Sequence, residues 1–428
     1  MFLARLRISA LHGWGVLLLI AIFAASTYSD FQPKASERAH FAMTKFLADN
    51  PTWESIRTYE GSTRYDAKAP FLYIVGAIFG SSFGMTIESL RIVAFLFGLI
   101  GVIAYAFLLR DLRPRLEAST LTAVVVLPYF MILCVTYRTD SATAALLFLA
   151  VIGYLRNIDA PRPLALLGAT AAASAMLWIR IDNAFVMAGI GLACVCNGPW
   201  PRGRSQWQGL LARLPLRLWI GLAVPIVLRI PLIIAWGGLI PPPAQARPVP
   251  LELSVQPSNL TFVLCVVGLY FAPFGLLQLR RSRVALIAGA AALAFFLAFP
   301  VVLDPNLPDR FAGILRTAMW STGVPPLLQS ALFAVLCVLG VLALVRLFDR
   351  EVLDGVKLRA LACIVVLGYG LQAVRGAVMY ERYLLMSNAM LLVLALGAPM
   401  PVGWRVAWLG SLLALAIVHL SWQGILGL

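Results

Sequence analysis

Apolar residues gather along this chain in long runs separated by short polar segments. Spans are predicted near 13–29, 90–109, 119–137, 141–155, 163–179, 183–197, 218–240, 258–278, 284–303, 324–345, 360–374, 383–398 and 406–424. A helix crossing hydrocarbon needs about 20 apolar residues. The run at 69–83 falls short of that and is left out of the thirteen; Lys68 and Pro70 open it, and glycines and serines close it. Ahead of it, 36–49 has an amphipathic period, with Ala39, Met43, Phe46 and Leu47 on one face. Ser36 fits its N-cap, Glu37 its first turn, and Asn50-Pro51 its end. The pattern predicts an all-α polytopic membrane protein of about 13 transmembrane helices. Two surface-lying, juxtamembrane helices, 36–49 and 69–83, occupy the first outer loop, 30–89.

Composition agrees with this class. Of 428 residues 61% are hydrophobic and 12% charged, against about 25% charged in soluble chains. The N-terminal stretch, Arg5 and Arg7 followed by an apolar run and small residues, has the layout of a signal peptide and is read as a retained first span. All six cysteines fall inside apolar runs and read as packed thiols; with three histidines and no metal-ligand spacing, no metal or other cofactor is expected.

The net charge of +15 could point to nucleic acid, but its distribution excludes that class. With the N-terminus cytoplasmic, the inner flanks hold 19 Lys/Arg and 6 acids, and the outer segments 14 Lys/Arg and 13 acids. This is the positive-inside bias of a membrane protein. Counting 69–83 as a full crossing would move "RDLRPR", "RRSR" and "RLFDREVLDGVKLR" outside and destroy the bias. The short helix is therefore expected to rest on the outer interface.

Candidate chemistry collects on that outer face. Asp30 follows the first span; "YRTD" places Arg138 and Asp140 at one turn, "WIRIDN" places Arg180 and Asp182 at another, and "RGAVMYERY" places Arg375, Tyr380, Glu381 and Arg382 at a third. Ionisable groups at membrane depth mark function more often than chance. Bland readings stand beside these: Asp140 as a helix N-cap, Lys68 as a snorkelling lysine. Arg229, near the middle of its span between Pro225 and Pro231, either lines a groove for a lipid or satisfies carbonyls freed by the prolines.

The order of a first span, an acidic residue, an amphipathic helix, "YDAKAPFLY" and "FGSSFGMTIESLR" resembles the GT-C superfamily of membrane glycosyltransferases. The branch with protein O-mannosyltransferases and aminoarabinose-type transferases is the most similar. Tyr65, Asp66, Lys68, Tyr73 and Arg91 carry the likeness, together with "YRTD" and "ERYLLMSNAM". Pro-Pro is Ala69-Pro70 here, and the acidic pair is Ser36-Glu37. The resemblance implies catalytic-module spans over 90–200 and variable spans over 201–428, within a single integral-membrane domain. It also implies a sugar carried on a polyprenyl phosphate and transferred on the outer, periplasmic face; the arginine- and alanine-rich usage points to a bacterial inner membrane. The acceptor would be an envelope lipid, glycan or protein. Under it Glu37 or Asp30 is the expected base, and Asp140 orients a hydroxyl or a cation. Lys68, with Arg138, Arg375 or Arg382, holds phosphate, and Tyr65, Asp66, Arg180, Asp182, Arg229 and Tyr380 line the substrate site. The rivals are a transporter or flippase, for which no hydropathy repeat is found, and a polysaccharide polymerase or ligase, whose largest outer loop usually comes late.

Overall fold

The computed structural model describes residues 14–28, 33, 35–60, 68–116, 120–197, 214–245, 257–279, 286–287, 290, 294, 311–312, 325–374, 379–423 and 425. Seven described helices are long and apolar enough to cross a membrane, with five shorter apolar ones beside them, so the chain is an integral membrane protein. By that measure the thirteen predicted spans are not reached. Prolines and polar residues break several apolar runs, and 284–303 lies almost wholly outside the described residues.

The chain packs as two units, Met1–Pro250 with Ala416–Leu428, and Leu251–Leu415. In the first unit α1 is Trp14–Tyr28, α2 Ala35–Asp49, α3 Trp53–Thr58, α4 Phe71–Phe83 and α5 Ile87–Leu112. The predicted span 119–137 is instead a 3-10 turn, Ala123–Val126, followed by the eight-residue α6, Pro128–Val135. Pro128 takes the first helical position, where its missing N–H costs nothing, and so restarts the helix. Then follow α7, Thr139–Asp159, buried along nearly its whole length, α8, Pro163–Leu177, and α9, Phe185–Val195. The predicted span 218–240 is one apolar stretch, Leu216–Trp236, made of α10, Leu216–Val227, and α11, Ile230–Trp236, joined by a turn at 228–229 between Pro225 and Pro231.

Hydrogen bonds define two ends for this bundle. At one, Arg156 Nε lies 2.5 Å from Asp111 Oδ2, and Arg217 donates to Asn157 O at 3.1 Å. At the other lie the start of α5, the 136–140 turn and the 178–182 turn. Helix α4 touches this second end at both of its termini. The Ala69 and Phe71 amides donate to Ile179 O (3.2 Å) and Trp178 O (3.1 Å). Three residues after Phe83, Thr86 and Ser89 form the capping box of α5, and Ser89 Oγ donates to Gly84 O at 2.6 Å. Gly84 turns the chain there at φ +97°, a region closed to most side chains. Thirteen helical residues extend about 20 Å.

In the second unit α12 is Pro257–Leu279, kinked at Phe271 ahead of Pro273; α13 is Pro326–Leu347, α14 Val356–Ala373 and α15 Leu385–Gly397, and α16, Val402–Trp422, runs from this unit into the first at Ala416. Helices α12 and α13 approach until glycine alone fits: a Cβ at Gly268 would lie 1.9 Å from Leu336 O, and one at Gly340 2.1 Å from Leu264 O. Cys265 and Cys337 meet there as buried thiols 3.3 Å apart. Phe311–Ala312 and Met379–Tyr380 pair as a two-residue parallel bridge.

Candidate active site

The site end of the first unit is organised by α2. The face it buries is not wholly apolar: Glu37, His40, Met43, Thr44 and Leu47 are all inside. Met43 and Leu47 pack with Tyr59, Ala69, Tyr73, Leu232 and Trp236 in one small core. The polar members tie α2 to α4, α5 and the 136–138 turn. Glu37, fully buried, receives Arg91 Nε on Oε1 (2.8 Å) and Nη2 on Oε2 (2.9 Å), and Oε1 also accepts the Tyr137 amide at 2.9 Å. His40 Nδ1 hydrogen bonds Tyr73 Oη at 2.8 Å, and Thr44 Oγ1 shares a hydrogen with Tyr137 Oη at 2.9 Å. Helix α2 begins at Ala35, so Ser36 lies inside its first turn and is not the cap; the helix ends at Asp49, ahead of Asn50-Pro51.

With both oxygens engaged and no exposed surface, Glu37 is placed to hold the start of α5 against the 136–138 turn. A base needs an open approach to the group it deprotonates, and in this arrangement both Glu37 oxygens are instead occupied by Arg91 and the Tyr137 amide.

Tyr137 fills the space left by Gly76 of α4. A Cβ there would fall 2.3 Å from Tyr137 Oη and 3.0 Å from Thr44 Cγ2. Tyr137 is fully buried and cannot swing away. The Gly76→Ala variant is therefore expected to lose about 1–3 kcal/mol through overpacking, measurable as a lowered unfolding midpoint in detergent.

Lys68 is held through its backbone. Its N–H donates to Tyr73 Oη (3.2 Å), and its carbonyl accepts from Tyr59 Oη (2.7 Å). Burial pushes the Tyr59 phenol well above its usual range, while Tyr73 raises it further and nearby Arg229 pulls the other way, so Tyr59 remains a donor at any working pH. Tyr59 itself packs edge-on against Trp236, ring centroids 5.7 Å apart.

Arg229 lies toward this end of the bundle, past the middle of the 21-residue stretch Leu216–Trp236. Leu228 O accepts the Trp178 indole N–H at 3.1 Å, level with the bond from Phe71 to Trp178. The short α11 continues past the turn to dock on α3, where Trp236 Nε1 donates to Ile56 O at 2.9 Å. Arg229 is 2% exposed, and its guanidinium lies 4.8 Å from the Trp236 ring centroid. Nη2 reaches Leu239 O at 3.4 Å, not a carbonyl freed by the prolines. Nε and Nη1 have no hydrogen-bond partner among the described residues.

Asp140 lies in the first turn of α7, where the helix dipole favours a carboxylate. Arg138 occupies the N-cap position in its place. Arg180 joins Asp140 Oδ1 through Nη1 (3.1 Å) and Asp182 through Nε (3.1 Å) and Nη2 (2.5 Å). Two carboxylates thus share one guanidinium. Asp140 and Arg180 are buried, and the Asp182 side chain is 28% exposed.

The first unit therefore brings together Glu37, Lys68, Arg138, Asp140, Arg180, Asp182 and Arg229. Asp30, Tyr65, Asp66 and Arg375 lie outside the described residues. Tyr380 and Arg382 belong to the second unit. Tyr380 enters through the backbone bridge to Ala312, and the Arg382 guanidinium lies 5.4 Å from the Tyr383 ring centroid. His40 and Thr44 were missed, although with Glu37 they form a polar stripe at spacings of three and four, a legible helical signal.

No protein family profile and no curated protein sequence matches this chain. Among solved structures it is similar to the crystal structure of ArnT from Cupriavidus metallidurans in the apo state, at 15% identity and a TM-score of 0.44, over 91% of this chain and 77% of that one. The structure of ArnT from Cupriavidus metallidurans bound to undecaprenyl phosphate aligns at 14% identity and a TM-score of 0.40, over 95% and 78%.

Proposed function

We propose that this protein is a GT-C-type glycosyltransferase that moves a sugar from a polyprenyl phosphate to a hydroxyl acceptor on the extracytoplasmic side of the membrane. The observation that carries the reading is Arg229. A guanidinium withdrawn from solvent, with two nitrogens unpartnered among the described residues, is a costly feature unless an anion completes it. It lies at the same bundle end as Lys68, with Tyr59 as the shared neighbour. Two cations beside an apolar helix suit a phosphate on a lipid tail. Helix α4, short and touching one bundle end at both termini, suits a helix resting on the outer leaflet, where such a tail would enter.

Each group then has a task. As the sugar–oxygen bond breaks, negative charge grows on the departing phosphate. Lys68 and Arg229, with Arg138 alongside, neutralise it from fixed positions. Asp140, fixed by Arg180, orients or deprotonates the acceptor hydroxyl, with Asp30 as the alternative base. Arg180 is a positioning residue here, since its donors are turned toward two carboxylates. The acceptor is an envelope lipid, glycan or protein.

The test is turnover in detergent micelles, where a transporter has no compartment to fill. Purified protein given a panel of polyprenyl-phosphate monosaccharides and an envelope extract is expected to form a glycoside and release polyprenyl phosphate. The Asp140→Asn variant should lose roughly 10²–10⁴-fold in kcat, the range for a lost acid–base group, and still bind the donor. Undiminished turnover by that variant removes Asp140 from the chemistry.

A further inference from the structure

We infer that His40 is a positioning residue for the phosphate-holding lysine, acting through the Tyr73 hydroxyl. This rests on the phosphate role proposed for Lys68. Lys68 ends the segment just ahead of α4, and both polar groups of its peptide are taken by phenols: Tyr73 Oη accepts its N–H, and Tyr59 Oη donates to its carbonyl. The next amide, of Ala69, donates to Ile179 O. A long, rotamer-rich side chain is thereby mounted on backbone pinned from three sides.

Of the two phenols, Tyr73 has the further anchor. Its ring is 1% exposed, and its hydroxyl meets His40 Nδ1 at 2.8 Å, shorter than its 3.2 Å contact with the Lys68 amide. His40 is itself 6% exposed and sits three residues after Glu37 and four before Thr44. Its neighbours on the stripe hold α5 and the 136–138 turn. His40 is thus the member of the stripe whose side chain hydrogen bonds α4. An imidazole enclosed this far is retained at a cost unless its polar atoms are used, and an apolar side chain of similar size would fill the same volume. The chain from α2 to His40 to Tyr73 to the Lys68 amide transmits the placement of a rigid helix to a flexible cation. Lysine gains most from such mounting, because its point charge carries no geometric preference of its own.

The experiment compares full-length protein in detergent for binding of decaprenyl phosphate against decaprenol, so that the ratio of the two affinities reports the phosphate contact alone. The wild type should prefer the phosphate by at least about tenfold, the worth of one charge-assisted contact. His40→Leu and Tyr73→Phe should each cut that preference by roughly three- to tenfold while leaving decaprenol binding unchanged, and the double variant should cut it no further. His40→Asn, which keeps a hydrogen-bonding atom near the Nδ1 position, should retain the preference within about twofold. In a Lys68→Met background, His40→Leu should have no further effect on the ratio. Equal weakening of both lipids by His40→Leu, or an undiminished effect in the Lys68→Met background, would overturn the inference while leaving the transferase reading standing. A wild type with no preference for the phosphate would overturn both.

Discussion

Replacing Arg229 with methionine is expected to lower kcat/KM for a polyprenyl-phosphate sugar by about 10²–10³-fold, the scale of one preorganised charge contact at a developing anion. The same substitution should leave the unfolding midpoint unchanged or raise it. The reason is the asymmetry of buried charge. A guanidinium enclosed with no counter-ion among the described residues costs the empty protein stability, and an apolar residue of similar volume relieves that cost. Methionine also keeps contact with the Trp236 ring, over which the guanidinium lies at 4.8 Å. Activity and stability should therefore move in opposite directions. A variant that loses both together would show that Arg229 completes the fold. Steady-state kinetics and thermal unfolding on the same preparation read the two quantities.

The opposite signature is expected at Arg91. Its bidentate bond to Glu37 is buried on both sides, with exposures of 8% and 0%. Removing one partner strands the other charge in the interior, which typically costs about 3–5 kcal/mol. Arg91→Met should therefore lower the unfolding midpoint sharply, with activity falling in step with the folded fraction. Glu37→Gln should do the same more mildly, because the amide oxygen can still accept the Tyr137 N–H at 2.9 Å. If Glu37→Gln instead kept its stability and lost turnover, the proton-acceptor role predicted from the sequence would be supported. Thermal unfolding of both variants, set against their turnover per folded molecule, decides the point.

These two arginines illustrate what the sequence could and could not carry. Helix 36–49 was legible to within a residue, because its length and its Asn50-Pro51 stop are local properties. Its buried face was not, since apolar periodicity scores Met43 and Leu47 and passes over Glu37, His40 and Thr44. The partners that make burial of those residues tolerable, Arg91, Tyr73 and Tyr137, stand 33 to 100 residues away in the chain. The same separation hides half of the acidic cluster. Arg180 with Asp182 is visible in "RID", whereas Asp140 joins it from 40 residues upstream.

Position along the bundle was harder to read where prolines intervene. Counting residues placed Arg229 midway along one helix. The turn at 228–229 and the docking of α11 on α3 place it toward the bundle end. Pro128 likewise splits the run at 119–137, which hydropathy alone reads as continuous. By contrast, the separation of basic from acidic segments along the chain anticipated which turns of the first unit would meet. Asp111 and Arg156 pair at one end, and Lys68, Arg138, Asp140, Arg180 and Asp182 gather at the other.

The central claim is that the end bearing Lys68 and Arg229 receives the phosphate of a polyprenyl carrier. An electron cryomicroscopy map of the detergent-solubilised protein with decaprenyl phosphate tests it most directly. The account predicts phosphate density within hydrogen-bond reach of both Lys68 Nζ and the Arg229 guanidinium, with the lipid tail running along α4. Phosphate bound instead beside Arg156 and Arg217 at the opposite end of the bundle, or at no fixed place under saturating lipid, would contradict it.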